Sequence, residues 1–275
     1  MHHPINRSKG ENMKSISVRI LLSVGLIGSS VCGWARVNVL DPWAPGFDAV
    51  LSDKKWDVSP HLRIGSGGAG GTDLTEIGAT VTMPLKNEWE MGAVWGFQTL
   101  DSSGVRDDSG VSDIAFAVKH RLPGNLFPDP LKAVGEFGVS LPTGDSDHGL
   151  GAGGIGLLGN AGLTLPLRAV RGYAQIGLKL YSEGRDTRWG NALSYSAGAM
   201  YPLSEEVMLS ADFRVINHGR DKIDGVKLPN TAQEAYLTSG GVWKPVNGTM
   251  EAQGLLLLGL TGDAYDFGLQ LGLKF

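Results

Sequence analysis

The sequence predicts an all-β fold: a transmembrane antiparallel β-barrel of about twelve strands, of the bacterial outer-membrane type. Three observations predict it. Segment after segment alternates apolar residues with small or polar ones, the period of a strand with two unlike faces. Tight turns and long polar loops follow each other along the chain. An export signal stands before the first strand.

The export signal comes first in the chain. Ile20 to Ala35 form an apolar run behind Met13, Lys14 and Arg19, with a small-x-small end at Gly33-Trp34-Ala35. A basic start, an apolar middle and a small-residue end make a cleavable signal peptide, and the run is short for a membrane helix. Residues 1–35 are therefore read as an upstream extension plus a signal peptide over about 13–35, with cleavage after Ala35. A lipid-attached cysteine is the rival reading, but Val31 precedes Cys32 where a small residue is wanted. Cleavage removes Cys32, the one cysteine, so the exported chain has no disulfide. Residues 36–55, with Pro42 and Pro45 and little periodicity, read as an irregular periplasmic lead-in, and 56–275 as the barrel.

The strands follow in order, near 56–66, 72–84, 88–100, 111–122, 131–142, 153–166, 169–182, 189–202, 205–218, 231–244, 248–260 and 264–275. In the second, Ile77, Ala79, Val81 and Met83 oppose Glu76, Gly78, Thr80 and Thr82. In the third, Met91, Ala93, Trp95 and Phe97 oppose Glu90, Gly92, Gly96 and Gln98. The last is the clearest: Tyr265, Phe267, Leu269, Leu271, Leu273 and Phe275 share one face, and Asp266, Gly268, Gln270, Gly272 and Lys274 the other. Such an apolar face needs a cover, and lipid supplies it when ring closure removes the free edges. An even strand number leaves both ends of the barrel on the periplasmic side.

The connections sort the two rims. "PLKNE" (84–88), "LPLRAV" (165–170), "PLSEE" (202–206) and "KPVNG" (244–248) are tight. Residues 101–110, 143–154, 182–190 and 217–230 are longer and charged. Short periplasmic turns and long outer loops are the asymmetry of an outer-membrane barrel. Trp89, Tyr201, Trp243 and Phe275 fall on the apolar face near the short turns, and Trp189 and Tyr265 near the long loops, as two interfacial girdles. A soluble sandwich also alternates, but explains neither the girdles nor the loops.

The polar face faces the interior. Glu76, Glu90, Asp113, Glu136, Asp212, Glu234, Glu251 and Asp266 belong to it, as do Lys119, Arg121, Lys179, Arg214 and Lys274. These thirteen are the expected pore-lining residues. Charges of both signs either pair and plug the ring or line a narrow wet passage. About eight strands give a filled interior and about sixteen an aqueous pore, so twelve leaves both open.

Two segments carry a family resemblance. "SGVSDIAFAVKHRL" (109–122) places Gly110, Asp113, Lys119 and Arg121, and "EFGVSLPTGD" (136–145) ends Pro142, Thr143, Gly144 and Asp145. This pattern resembles the outer-membrane transporter family first named for the meta-pathway of phenol degradation. His120 departs from it, standing where an aromatic is usual. The resemblance implies a barrel that passes small hydrophobic or aromatic compounds, with no catalytic residue and no cofactor. Phe275 resembles the terminal aromatic read by the barrel-assembly machinery. Outer-membrane lipid and lipopolysaccharide are the other expected partners. A formal net charge of −4 offers no basic surface for nucleic acid.

Other motifs are weaker. "GAGGIGLLG" (151–159) holds Gly-x-Gly-x-x-Gly, but no helix follows, so the dinucleotide context fails. Asp145, Asp147 and His148 could meet a cation, yet lack a full ligand set and read as a solvated loop. A lipid hydrolase would need a serine and a histidine converging; Ser140, His148, His218 and Asn217 show no such spacing. The expected function is thus a passive channel, with a closed structural or surface-interaction barrel, and then a lipid hydrolase, as alternatives.

Overall fold

The computed structural model describes residues 57–275 apart from 69–70, 87, 103–107, 149, 168–169, 183–186, 189, 221, 224–225, 228–230 and 246–249. The signal peptide, the lead-in over 36–55 and Trp189 lie outside the described residues.

Twelve antiparallel strands form one closed ring. They are β1 (Asp57–Gly68), β2 (Thr72–Pro84), β3 (Trp89–Ser102), β4 (Asp108–Val111 and Ile114–Arg121), β5 (Lys132–Leu141) and β6 (Gly156–Leu167). Next come β7 (Val170–Tyr181), β8 (Ala192–Pro202), β9 (Val207–His218), β10 (Gln233–Trp243), β11 (Glu251–Gly259) and β12 (Phe267–Lys274). Each strand pairs with the next in sequence, and β12 returns to β1 through His61↔Gly272, Arg63↔Gln270 and Gly65↔Gly268. Ring closure leaves no edge, so every strand finds backbone partners on both sides, as hydrocarbon demands. No helix among the described residues is long and apolar enough to cross a membrane.

The burial pattern is inside out relative to a water-soluble protein. Ile77, Phe97, Phe137, Ile176, Leu237 and Leu271 are exposed outward. Glu76, Glu90, Lys119, Arg214 and Glu234 are buried inward. The alternation alone produces this, since a strand sends neighbours to opposite faces.

Two departures from the sequence expectation matter below. First, β4 is broken. Gln98 pairs with Gly110 and Phe97 with Val111, but Val94 pairs with Ala115, so one extra residue bulges at Ser112–Asp113. Both of these side chains are buried, where strict alternation would send one outward. A bulge re-aims side chains in this way. Second, β12 begins only at Phe267. Tyr265 and Asp266 therefore belong to the preceding loop and do not obey the period of the strand.

At the long-loop rim, Thr187–Arg188, Lys222–Ile223 and Val226–Lys227 pair into a small three-stranded sheet apart from the ring. At the other rim, Trp89 stacks on His120 with ring centroids 4.2 Å apart. Arg121 reaches the Glu88 carboxylate at 3.2 Å. Glu88 itself has φ 63, a left-handed turn residue whose carbonyl accepts the Arg121 N–H. The basic-His-basic pattern at 119–121 thus pins the first short turn to the end of β4.

Phe137 lies halfway along β5 and is 57% exposed on the outer face. Phe137→Arg is expected to destabilise the barrel by about 2–4 kcal/mol. Reversible urea unfolding in lipid vesicles checks this.

Candidate functional site

The interior wall is assembled from side chains that every second position sends inward. Glu76, Glu90, Asp113, Lys119, Glu136, Asp212, Arg214 and Glu234 are buried there. Their partners stand on the same or a nearby strand. Arg63 Nη1 meets Glu76 Oε1 at 2.7 Å, directly opposite in register. His61 Nε2 lies 3.1 Å from that same oxygen, and Arg63 Nε donates to Gln270 at 2.9 Å. Lys119 Nζ meets Glu90 at 3.0 Å, again directly opposite. His218 lies 2.8 Å from Glu234, which also accepts the Tyr236 hydroxyl at 2.8 Å. Glu136 accepts from Asn160 at 3.2 Å. Buried charges need such partners, since an unpaired one costs several kcal/mol.

Glycines on the inner face make these flat arrangements fit. Gly198 is the register partner of both Tyr173 and Asp212. Across that bare position the Tyr173 hydroxyl donates to Asp212 at 2.8 Å, and a Cβ on Gly198 would collide with Asp212. Gly78 likewise makes room for the His61 ring. The large polar side chains therefore lie along the wall.

An apolar cluster accompanies them toward the long-loop half. Leu74, Leu100, Tyr236, Leu255 and Leu257 face inward, and two loop residues, Leu150 and Tyr265, join them. A second cluster, Val134, Tyr173, Met200 and Met208, lies toward the short turns. The sequence reading missed most of these inward apolar residues and also His61, Arg63 and Tyr236, while Gln270, set on the polar face, was not among the named pore-lining residues. Parity in β1 holds the signal for His61 and Arg63, because Leu62 and Ile64 mark the outer face between them.

The other expected residues divide. Arg121 sits half-buried at the short-turn rim. Lys179 is half-buried on β7, and Glu251 and Lys274 are half-buried register partners at the short-turn end of β11 and β12. Trp89, Tyr201, Trp243 and Phe275 are exposed on the outer face near that rim.

Two expectations are corrected. Tyr265 is no girdle residue: it is 8% exposed, and its ring packs over Gly65 and Gly68 inside the ring. Asp266 is no lumen residue: it is exposed at the rim, its carboxylate against Gly67. Both errors come from extending the period of β12 two residues into a loop. Asp113 is buried, but both its oxygens hold backbone N–H groups of the 142–155 loop.

The remaining motifs are occupied by local structure. Gly151 and Gly154 precede β6, where Gly154 packs against the Ser182 carbonyl, and Gly156 and Gly159 are part of the strand. Among the described residues, no group of three His, Cys, Asp or Glu side chains could hold a metal. His148 Nδ1 lies 2.7 Å from Asp145 Oδ2, while Asp145 Oδ1 accepts the Asp147 N–H. Ser140 on β5 and His218 on β9 are separated by three strands, and His148 is engaged by Asp145.

The hydrogen bond with Asp145 holds the His148 imidazole above its ordinary pKa and the Asp145 carboxylate below its own. A raised histidine contributes its pairing fully below the ordinary histidine range and loses it as pH climbs past the raised value. Asp145→Asn is expected to return His148 toward the ordinary value, followed as the ring-proton NMR shift against pH.

Arg63→Met leaves buried Glu76 with only His61 among these partners. It is expected to cost about 3–5 kcal/mol, and Arg63→Met with Glu76→Leu to recover most of that. Urea midpoints of the two variants decide.

No family model and no curated protein sequence matches the chain. Solved structures do. The chain is similar to the COG4313 outer membrane channel from Pseudomonas putida F1, with TM-score 0.67 and 15% identity over 84% of this chain and 98% of that one. Weaker likeness extends to the KdgM porin, at TM-score 0.49 and 6% identity over 80% and 98%. The translocator domain of the autotransporter NalP from Neisseria meningitidis gives TM-score 0.49 and 15% identity over 90% and 96%. At these identities the likeness is one of fold.

Proposed function

We propose that this protein is an outer-membrane channel through which small hydrophobic or aromatic compounds pass passively. One observation carries the reading. Buried charged side chains pair with residues directly opposite them on neighbouring strands, as Arg63 with Glu76 and Lys119 with Glu90 do. In this reading, charges neutralised by their neighbours in the wall need no partner across the axis, which is the route left to a solute. The inward apolar cluster of Leu74, Leu100, Tyr236, Leu255 and Leu257 supports the solute class. A water-filled porin for ions gains nothing from leucines inside, whereas an apolar solute that has left water is stabilised by them.

The resemblance at 109–122 and 136–145 to the phenol meta-pathway transporter family supports the same solutes. The fold shared with the Pseudomonas putida outer membrane channel supports the channel role. In this reading the signal peptide exports the chain, Phe275 presents the closing strand to the assembly machinery, and Trp89, Tyr201, Trp243 and Phe275 seat the periplasmic rim at the lipid interface. Passage is diffusive, with the wall supplying shape and polarity and no chemical step.

A closed structural barrel is the competing reading, favoured by the inward course of the 142–155 loop. Single-channel recording separates the two. The mature protein is refolded in detergent and added to planar bilayers with a lipopolysaccharide outer leaflet. Small discrete current steps, reduced by benzoate, are expected. Folded protein that inserts and stays silent, with and without benzoate, removes the channel reading.

A further inference from the structure

We propose that the 142–155 loop is an apolar constriction of the passage, with Leu150 as its selecting side chain and Asp113 as the latch that holds it inward. This deepens the channel reading and rests on it.

The latch is built from backbone. The bulge at Ser112–Asp113 turns Asp113 into the ring. Its Oδ1 accepts the Gly144 N–H at 3.0 Å and its Oδ2 accepts the Ala152 N–H at 2.9 Å. One carboxylate thereby gathers two distant points of the loop. Thr143 Oγ1 adds a second hook, accepting the Ile114 N–H at 2.9 Å and donating to the Ser112 carbonyl at 3.1 Å. Gln98 on β3 donates to the Leu150 carbonyl at 2.9 Å, and the Leu150 N–H donates to the Asp145 carbonyl at 2.8 Å. Charge-assisted bonds of this kind are about twice as strong as neutral ones.

Three glycines allow the close fit. A Cβ on Gly144 would meet the Leu150 carbonyl, one on Gly151 the Asp113 carboxylate, and one on Gly110 the Leu150 side chain. Five of the eight residues that carry the family resemblance, Gly110, Asp113, Thr143, Gly144 and Asp145, are thus parts of one knot whose product is the placement of Leu150.

Leu150 is 3% exposed and shares its apolar cluster with residues of β2, β3, β10 and β11. Those strands come from much of the ring, so the loop narrows the interior at the long-loop end. An apolar neck sheds a hydrated ion, which would lose its water there, and admits an uncharged apolar solute. Asp145, Asp147 and His148 stay outside on the same loop, giving it a polar outer and an apolar inner side.

Two readouts test this. In planar bilayers, Leu150→Gly and Asp113→Asn are expected to raise ionic conductance by at least about threefold over wild type. Separately, Leu150→Cys, in a chain with Cys32→Ser, is labelled from outside by a membrane-impermeant maleimide. Labelling is expected to be slow on its own and at least about tenfold faster with Asp113→Asn added, as an opening equilibrium is shifted. Folding of each variant is checked by its heat-dependent gel mobility, with Thr143→Val replacing Asp113→Asn if that variant does not fold. Wild-type steps that neither variant changes would overturn the constriction and leave the channel reading standing. Bilayers silent for every variant, beside labelling that still depends on Asp113, would remove the channel and keep only the latch. Leu150→Cys labelled as fast as His148→Cys would overturn the latch itself.

Discussion

The closing seam between β1 and β12 is the constraint on which the rest depends. In hydrocarbon a free strand edge exposes N–H and C=O groups at several kcal/mol each, so a sheet survives only as a ring. Here the ring closes between residues 61–66 and 267–272. Gly65 and Gly268 face each other in that seam and leave their places to Tyr265 and Leu257. The outer surface follows from closure, because one face of every strand must then suit lipid.

Closure also creates the problem of the inside. A ring of twelve strands encloses less space than a solvent-filled pore of porin size and more than an eight-stranded ring filled by side chains. The chain answers with two kinds of surface. Charged side chains pair with their neighbours in the wall, and glycines such as Gly198 and Gly78 let them lie flat. Apolar side chains gather toward the long-loop half around Tyr236 and Leu257. The interior thus presents paired charges beside leucines.

The 142–155 loop is tied to the wall by very few residues. A single bulged residue, Asp113, uses both carboxylate oxygens on backbone donors of the loop. The short motifs at 109–122 and 136–145 thereby have a structural role. Their chemistry is hydrogen bonding to backbone, and their effect is the position of one leucine.

The outer face was legible in the amino-acid sequence, strand by strand. Lipid contact requires an apolar residue at every second position, and Phe137, Val139 and Leu141 or Leu269, Leu271 and Leu273 announce it without reference to any partner. The strand number, the two rims and the inward parity of Glu76, Glu90, Lys119 and Glu234 come from the same local rule. What the rule cannot carry is any contact between residues far apart in the chain. That Arg63 would meet Glu76 and Gln270, that Tyr173 would reach Asp212 across Gly198, and that Tyr265 would turn inward over Gly65 depend on register and closure. Asp113 is the sharpest case. Parity put it inside, but only the bulge and the returning loop decided that its carboxylate would hold backbone N–H groups, because that choice is made by distances between segments and not by the period within one.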